Sequence, residues 1–403
     1  MEEPNAEAQD RGEKLAANTV EQTRIGSLKL PREALRAYTM VLALIAVWVF
    51  FQYATGGIFL EARNFSNLMR QTAVTGVLSV GMLMVIVTGQ IDLSVGSVVG
   101  LAGGVAAAAA SQAWLGWGLI PSLAAAVIVG LMIGAAHGLL VAYASVPAFI
   151  VTLGGLLVWR GVIKGVSQGN TIPIELQGFK AIGQCYLHPL AGYTIAGVIV
   201  GAITWQTIRR SRSRQLYGMA SQGSALVAAR ILAPSIAVLA FTYALNAYTG
   251  IPAPVIILLA VALLGTFITQ NTTFGRYLYA IGGNPEAARL SGISIRRHLL
   301  AVFCIMGALA GVAALIYTAR VGSASPDAGV LLELDAIAAC VIGGASLMGG
   351  RGTVFGACVG ALFMASLDNG MSLKNLPDFT QDIIKGAILV GAVGLDMLGR
   401  RRG

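Results

Sequence analysis

The sequence predicts an all-α protein, a polytopic transmembrane helical bundle, and three observations carry that prediction. Of 403 residues, 56% are hydrophobic and 11% charged, whereas soluble domains are roughly a quarter charged, and mean hydropathy is +0.76. Apolar runs approaching the roughly 20 helical residues that cross a hydrocarbon layer of ~30 Å recur from Val41 onward. These runs are continuous rather than alternating, and in lipid only helices and closed barrels satisfy every backbone polar group, so the spans are helical. The formal net charge of +9 does not indicate a nucleic-acid partner, because Lys and Arg fall between apolar runs and at the ends instead of on one face.

Taken in order, residues 1–36 are polar, mix Glu2, Glu3 and Glu7 with Arg24, Lys29, Arg32 and Arg36, and hold no apolar signal core. They read as a disordered cytoplasmic tail, and residues 37–400 as the transmembrane domain. Spans are expected near 38–55, 70–88, 95–111, 119–143, 148–165, 190–207, 231–249, 252–270, 299–320, 331–347, 354–371 and 382–399. Some of these are short. The Gly-rich segments Gly96 to Ser111 and Ala336 to Gly350 predict broken or re-entrant half-helices, which a membrane tolerates where protein or a cavity surrounds them. About ten full crossings remain.

Arg24, Lys29, Arg32 and Arg36 precede the first span, and Arg400, Arg401 and Arg402 follow the last, which places both termini in the cytoplasm of an inner-membrane protein. Two internal loops are also basic, one with Arg209, Arg210, Arg212, Arg214 and Arg230, the other with Arg276, Arg289, Arg296 and Arg297. The two spans between them make the hairpin that this requires. The stretch from Ser167 to His188 and the acidic segment from Asp368 to Asp382 then face outward, and the first is a candidate docking surface.

Residues 88–100 and 342–356 each join an apolar run to a Gly-rich one through a polar turn. They suggest a possible internal repeat, an architecture that puts a transport pathway at the repeat interface. Four scattered cysteines, Cys185, Cys304, Cys340 and Cys358, lack the spacing of a metal site or a disulfide framework. No cofactor is expected.

The loop 271–298 carries local structure of its own. Asn284 is placed to cap a short helix with Pro285 at its first position, Glu286 near its positive end and Gly292 at its stop. Small Ala287 and Ala288 allow a partner to approach closely, as a rigid knob between two spans would need; an ordinary helical loop is the plainer reading.

The run Glu286-Ala287-Ala288, three residues and then Gly292 resembles the EAA…G coupling loop of ABC importer permeases. Tyr279 to Ile293, Ile91 to Ser97 and Leu334 to Gly344 resemble the monosaccharide branch of that family, which includes the ribose and xylose permeases. The resemblance covers roughly residues 38 to 400. Phe65 to Thr72 and Ala365 to Leu373 look most like the D-xylose members. This implies a transport subunit rather than an enzyme. It also implies a permease homodimer, a separate cytoplasmic ATP-binding subunit acting on the 284–293 loop, and a periplasmic sugar-binding protein that delivers cargo. In agreement, the chain has no Gly-Lys-Ser/Thr sequence with which to cradle ATP. An ion-coupled secondary sugar carrier is the rival class.

Ionisable groups within spans are costly and mark function by default. The candidate pathway residues are Gln90, Asp92, Ser94, Asp335, Asp368 and Asn369. Asp92 can cap the helix that begins at Val95 or, with Gln90 and Ser94, meet sugar hydroxyls. Asp335 and Glu333 admit the same two readings ahead of Ala336, and Asp368 with Asn369 reads as a gate, a helix end or a solvated loop. Arg160, Lys164 and Lys385 are expected to snorkel to headgroups. Ser346 lies in a Gly-Ala-Ser sequence but has no base to activate it, so proteolysis is not supported.

Overall fold

A computed structural model describes residues 32–217 and 223–401. The described residues divide between Thr39 and Met40, and the helical bundle lies after that division. The order of helices is α1 (Arg32–Ala54), α2 (Ala62–Val87), α3 (Val95–Ala110), α4 (Leu119–Ala142), α5 (Ala148–Ser167), α6 (Gln177–Gln184), α7 (Pro189–Leu216) and α8 (Ser224–Asn246). It continues with α9 (Ala253–Asn271), α10 (Thr273–Gly283), α11 (Pro285–Leu290), α12 (Ile295–Val321), α13 (Leu332–Ile342), α14 (Val354–Leu373) and α15 (Asp378–Arg401). Ten of these have 19 or more residues, and eight described helices combine the length and hydropathy of a membrane span. The chain is a multi-pass helical membrane protein.

The two broken elements lie where glycine is dense. α3 has 16 residues and α13 only 11, about 24 and 16 Å at 1.5 Å per residue, short of a full crossing. The span expected at 331–347 is therefore shorter than its hydropathy suggests. After Ile342 the chain leaves the helix and turns through Gly344, Gly349, Gly350 and Gly352, all with positive φ. The first helix starts earlier than expected, at Arg32, and residues 1–31 of the expected tail lie outside the described residues. Neither α6 nor α10 was foreseen; both are short, in segments that read as loops.

Burial sorts the spans into layers. The apolar window of α2 is 89% buried and those of α14 and α12 are 67% and 61%, while those of α7 and α8 are 11%. So α2, α12, α14, α3 and α13 make the centre, and α7 and α8 pack on each other at the periphery. Lipid offers no hydrophobic driving force between helices, so close backbone approach must hold the centre together. The α4–α12 pair supplies it. Ala126, Gly130, Gly134 and Gly138 form a four-residue stripe on α4, facing Phe303, Gly307 and Gly311 on α12. A Cβ on Gly130 would strike Gly307 O, and one on Gly307 would strike Gly130 O.

Two antiparallel pairs of two-residue strands tie the loops at one end. β1 (Ile172–Pro173) pairs with β4 (Ser323–Ala324), and β2 (Tyr186–Leu187) with β3 (Ile251–Pro252). Gln184 Nε2 also donates to Ala319 O at 3.1 Å, which anchors α6 to the end of α12.

Candidate functional site

The 271–298 loop folds as two successive short helices, α10 and α11, each started by a side-chain cap. Thr272 Oγ1 accepts from Gly275 N at 3.1 Å and starts α10; Asn284 Oδ1 accepts from Ala287 N at 3.0 Å and starts α11, with Pro285 first in the helix. Gly292, at φ +81°, ends α11, and Ile293 N closes on Ala288 O at 3.1 Å, because only a residue tolerant of the left-handed region stops a helix this way. Glu286 and Ala287 face outward, whereas Ala288 is buried. Arg289 donates to both Glu286 oxygens, at 2.6 and 3.2 Å, and that carboxylate raises the pKa of the exposed Arg289 above its usual value.

α10 rests directly on the two helix breaks. Gly350 N donates to Val87 O at 2.8 Å, so the turn after α13 is tied to the end of α2, where the first break begins. Gly282 of α10 packs against both: a Cβ there would strike Val87 O and lie 2.7 Å from Gly350 N. Tyr279 Oη donates to Gly352 O at 2.8 Å. The two passages that resembled each other in sequence thus meet, and they meet on the segment that carries the Glu286 knob.

The first break holds Asp92. Its Oδ1 accepts from Ser94 N at 2.8 Å and from Ser94 Oγ at 2.6 Å, so Asp92, three residues ahead of Val95, closes a turn onto Ser94, the N-cap of α3, and satisfies the break itself. Ser94 Oγ lies 3.3 Å from His137 Nδ1, and Trp159 Nε1 donates to His137 Nε2 at 3.1 Å. Indole nitrogen only donates. His137 Nε2 is therefore an acceptor, the neutral ring carries its proton on Nδ1, and the chain runs Trp159 to His137 to Ser94 to Asp92. Sequence reasoning missed His137, since a lone His on an apolar helix gives no signal. Gln90 is half-buried and does not join this group.

At α13 the expected cap is absent. Leu331 occupies the N-cap in the left-handed region without a side-chain bond, and Asp335 instead pairs with Lys385 of α15 at 3.4 Å. Lys385 also pairs with Asp368 of α14 at 2.7 Å. Lys385 is thus not snorkelling; it bridges two carboxylates on two other helices. Asp368 and Asn369 lie inside α14 rather than beyond it, and they part company: Asn369 exchanges side-chain hydrogen bonds with Asn64 of α2, at 2.8 and 3.1 Å. Beside Asp335 and Lys385 is a cavity of about 170 Å³ lined also by Leu331, Leu334, Met364 and Leu389, smaller than the ~300 Å³ at which ligand pockets begin.

Arg160 and Lys164 are likewise held by protein. Arg160 Nη1 donates to Ala328 O at 2.7 Å and Pro326 O at 3.3 Å, and Lys164 pairs with Asp327 at 2.9 Å, which lowers the Asp327 pKa below the usual carboxylate range. Both correct the snorkelling expectation: the 325–329 loop lies against α5 and offers carbonyls to Arg160 and a carboxylate to Lys164. Glu333 is buried, and its Oε2 has no hydrogen-bond partner among the described residues; it faces Gly96 of α3, where a Cβ would strike it.

The chain resembles known permeases along most of its length. A family described as branched-chain amino acid transport system / permease component matches residues 64–393. The xylose transport system permease protein XylH of Escherichia coli K12 is 49% identical over 369 residues, covering 91% of this chain and 93% of that protein. The protein of the same name from Haemophilus influenzae Rd is 46% identical over 93% of this chain and 99% of its own. The ribose import permease protein RbsC of Escherichia coli K12 is 35% identical over 84% of this chain and 87% of its own. No solved structure matches.

Proposed function

The chain belongs to the branched-chain amino acid transport system / permease component family, and from that premise we propose that it is the membrane subunit of an ATP-driven monosaccharide importer whose cargo is D-xylose. Identity of 49% and 46% to xylose permeases, against 35% to a ribose permease, favours D-xylose over D-ribose, and a sugar over the amino acids in the family's description. The ion-coupled carrier is not favoured.

In this reading both termini and the α10–α11 knob face the cytoplasm of a bacterial inner membrane. The arginines at the end of α7 and around α10–α12 support that orientation. A separate ATPase grips Glu286, Ala287 and Gly292, with Ala288 holding the knob to the bundle; a periplasmic sugar-binding protein delivers cargo at the opposite end; and a second copy of the chain completes the pathway. A pathway shared between two copies accords with the small size, about 170 Å³, of the cavity beside Asp335 within one chain.

The observation that carries the coupling argument is the seat of Gly282 on Val87 and Gly350. A push on α11 displaces α10, and α10 bears on both breaks at once. Through them the motion reaches α3 with Asp92 and α13 with Asp335. Polar groups at the first break (Gln90, Asp92 and Ser94), with Asp335 on α13 and Asp368 and Asn369 on α14, pass the sugar, with selectivity left mainly to the binding protein.

Reconstitution tests the reading. Proteoliposomes containing the permease, its ATPase and its binding protein should accumulate D-xylose only with internal ATP, and Glu286→Ala should abolish uptake. Uptake that follows an imposed ion gradient without ATP would sink it.

A further inference from the structure

A second cavity lies away from the breaks, between the ends of α3 and α5 and the β1 strand. It has a volume of about 310 Å³, within the range of small-ligand pockets. We propose that this cleft, walled by Trp114, Gln168, Asn170, Thr171 and Glu175, is a binding site for a neutral monosaccharide.

The lining selects the class of ligand. No Lys or Arg lines the cleft, so nothing there would hold an anion. A single carboxylate, Glu175, is too few for a hard cation, which takes six or more oxygens. The walls mix apolar Ala113, Trp114, Val166, Ile172 and Pro173 with six polar residues, which suits a guest with both apolar and polar faces. What remains is a molecule with one C–H face and several hydroxyls. Trp114, 47% exposed, offers an aromatic face, and Gln168 and Asn170 offer amides that both donate and accept. The side chains of Gln168, Thr171 and Glu175 make no hydrogen bond to other described residues, so their capacity is free for hydroxyls.

The wall is also held in place. Gln168 sits in the left-handed region at φ +51° as the C-cap of α5, a conformation a non-glycine residue adopts at a cost. Ser167 and Ser111 form a buried floor, and the register of Ile172 with Ala324 pins β1 to β4. The loop is therefore preset. A site at this end lies on the side where the proposed orientation brings sugar in, so its role in import rests on that reading, but the ligand class does not.

Titrating D-xylose, D-ribose and D-glucose into the full chain in lipid nanodiscs, followed by saturation-transfer NMR on the sugar, tests the site. With few polar contacts the affinity expected is on the order of 1–10 mM. Trp114→Ala should weaken binding about fivefold or more, as should Gln168→Ala, each removing a contact without touching the core. Equal saturation transfer in wild type and both variants, or none below about 100 mM sugar, overturns the site and leaves Trp114 as an interfacial anchor. If sugars bind here yet the reconstituted complex imports none of them, the import reading fails while the site stands. If import proceeds and binding is absent, the site alone fails.

Discussion

Gly350 donates its backbone amide to Val87 O at 2.8 Å, and through this bond the break that follows α2 and the break that follows α13 are one structural unit. Gly282 presses on that unit with no room for a methyl group. Gly282→Ala should cost about 1–3 kcal/mol by overpacking against backbone. It should also cut ATP-driven uptake at least tenfold, whereas Gly283→Ala, whose Cβ meets nothing within 4 Å, should leave both intact. Thermal unfolding and proteoliposome uptake, measured together, check the pair.

The bridge from Lys385 to Asp335 and Asp368 makes a second test. Lys385→Met strands the buried Asp335 and the half-buried Asp368 and should destabilise the protein by about 3–5 kcal/mol, because a buried charge without its partner keeps its full desolvation cost. Adding Asp335→Asn to the same chain should recover part of that loss. Denaturation in detergent reads the stability. A double variant no better than the single one would show that the Asp335 contact is incidental.

For Asp92 the two sequence readings separate by one atom. Asn keeps an oxygen that can accept from Ser94 N and Oγ, so under the capping reading Asp92→Asn holds stability within about 0.5 kcal/mol, and Asp92→Ala loses about 1 kcal/mol or more. If Asp92 also meets the sugar through its charge, Asp92→Asn should lower xylose uptake without altering the unfolding temperature.

Close packing of α4 on α12 predicts asymmetric glycine effects. Gly307→Ala would drive a methyl into Gly130 O and should cost about 1–3 kcal/mol. Gly161→Ala, with open space around its Cβ, should be neutral or stabilising by up to about 1 kcal/mol, since alanine is the better helix former. Chemical denaturation of the two variants gives the difference directly.

Much of this was legible in the amino-acid order because local chemistry decides it. The need to satisfy backbone groups in lipid makes the helices. Asn284, Pro285 and Gly292 set α11 by capping, proline and left-handed glycine rules that act over a few residues, and the glycine-rich runs announced both breaks. What tertiary structure alone decided is which distant residues meet. Asp335 reads as a cap from its neighbours but takes Lys385, fifty residues away, because α15 passes beside α13. Arg160 reads as lipid-facing but bonds to Ala328 once the 325–329 loop lies against α5. His137 carries no local signal and gains its role only from Trp159 and Ser94. Caps and spans depend on spacing along the chain, whereas a buried charge takes whatever partner the packing brings within reach, and no local pattern encodes that packing.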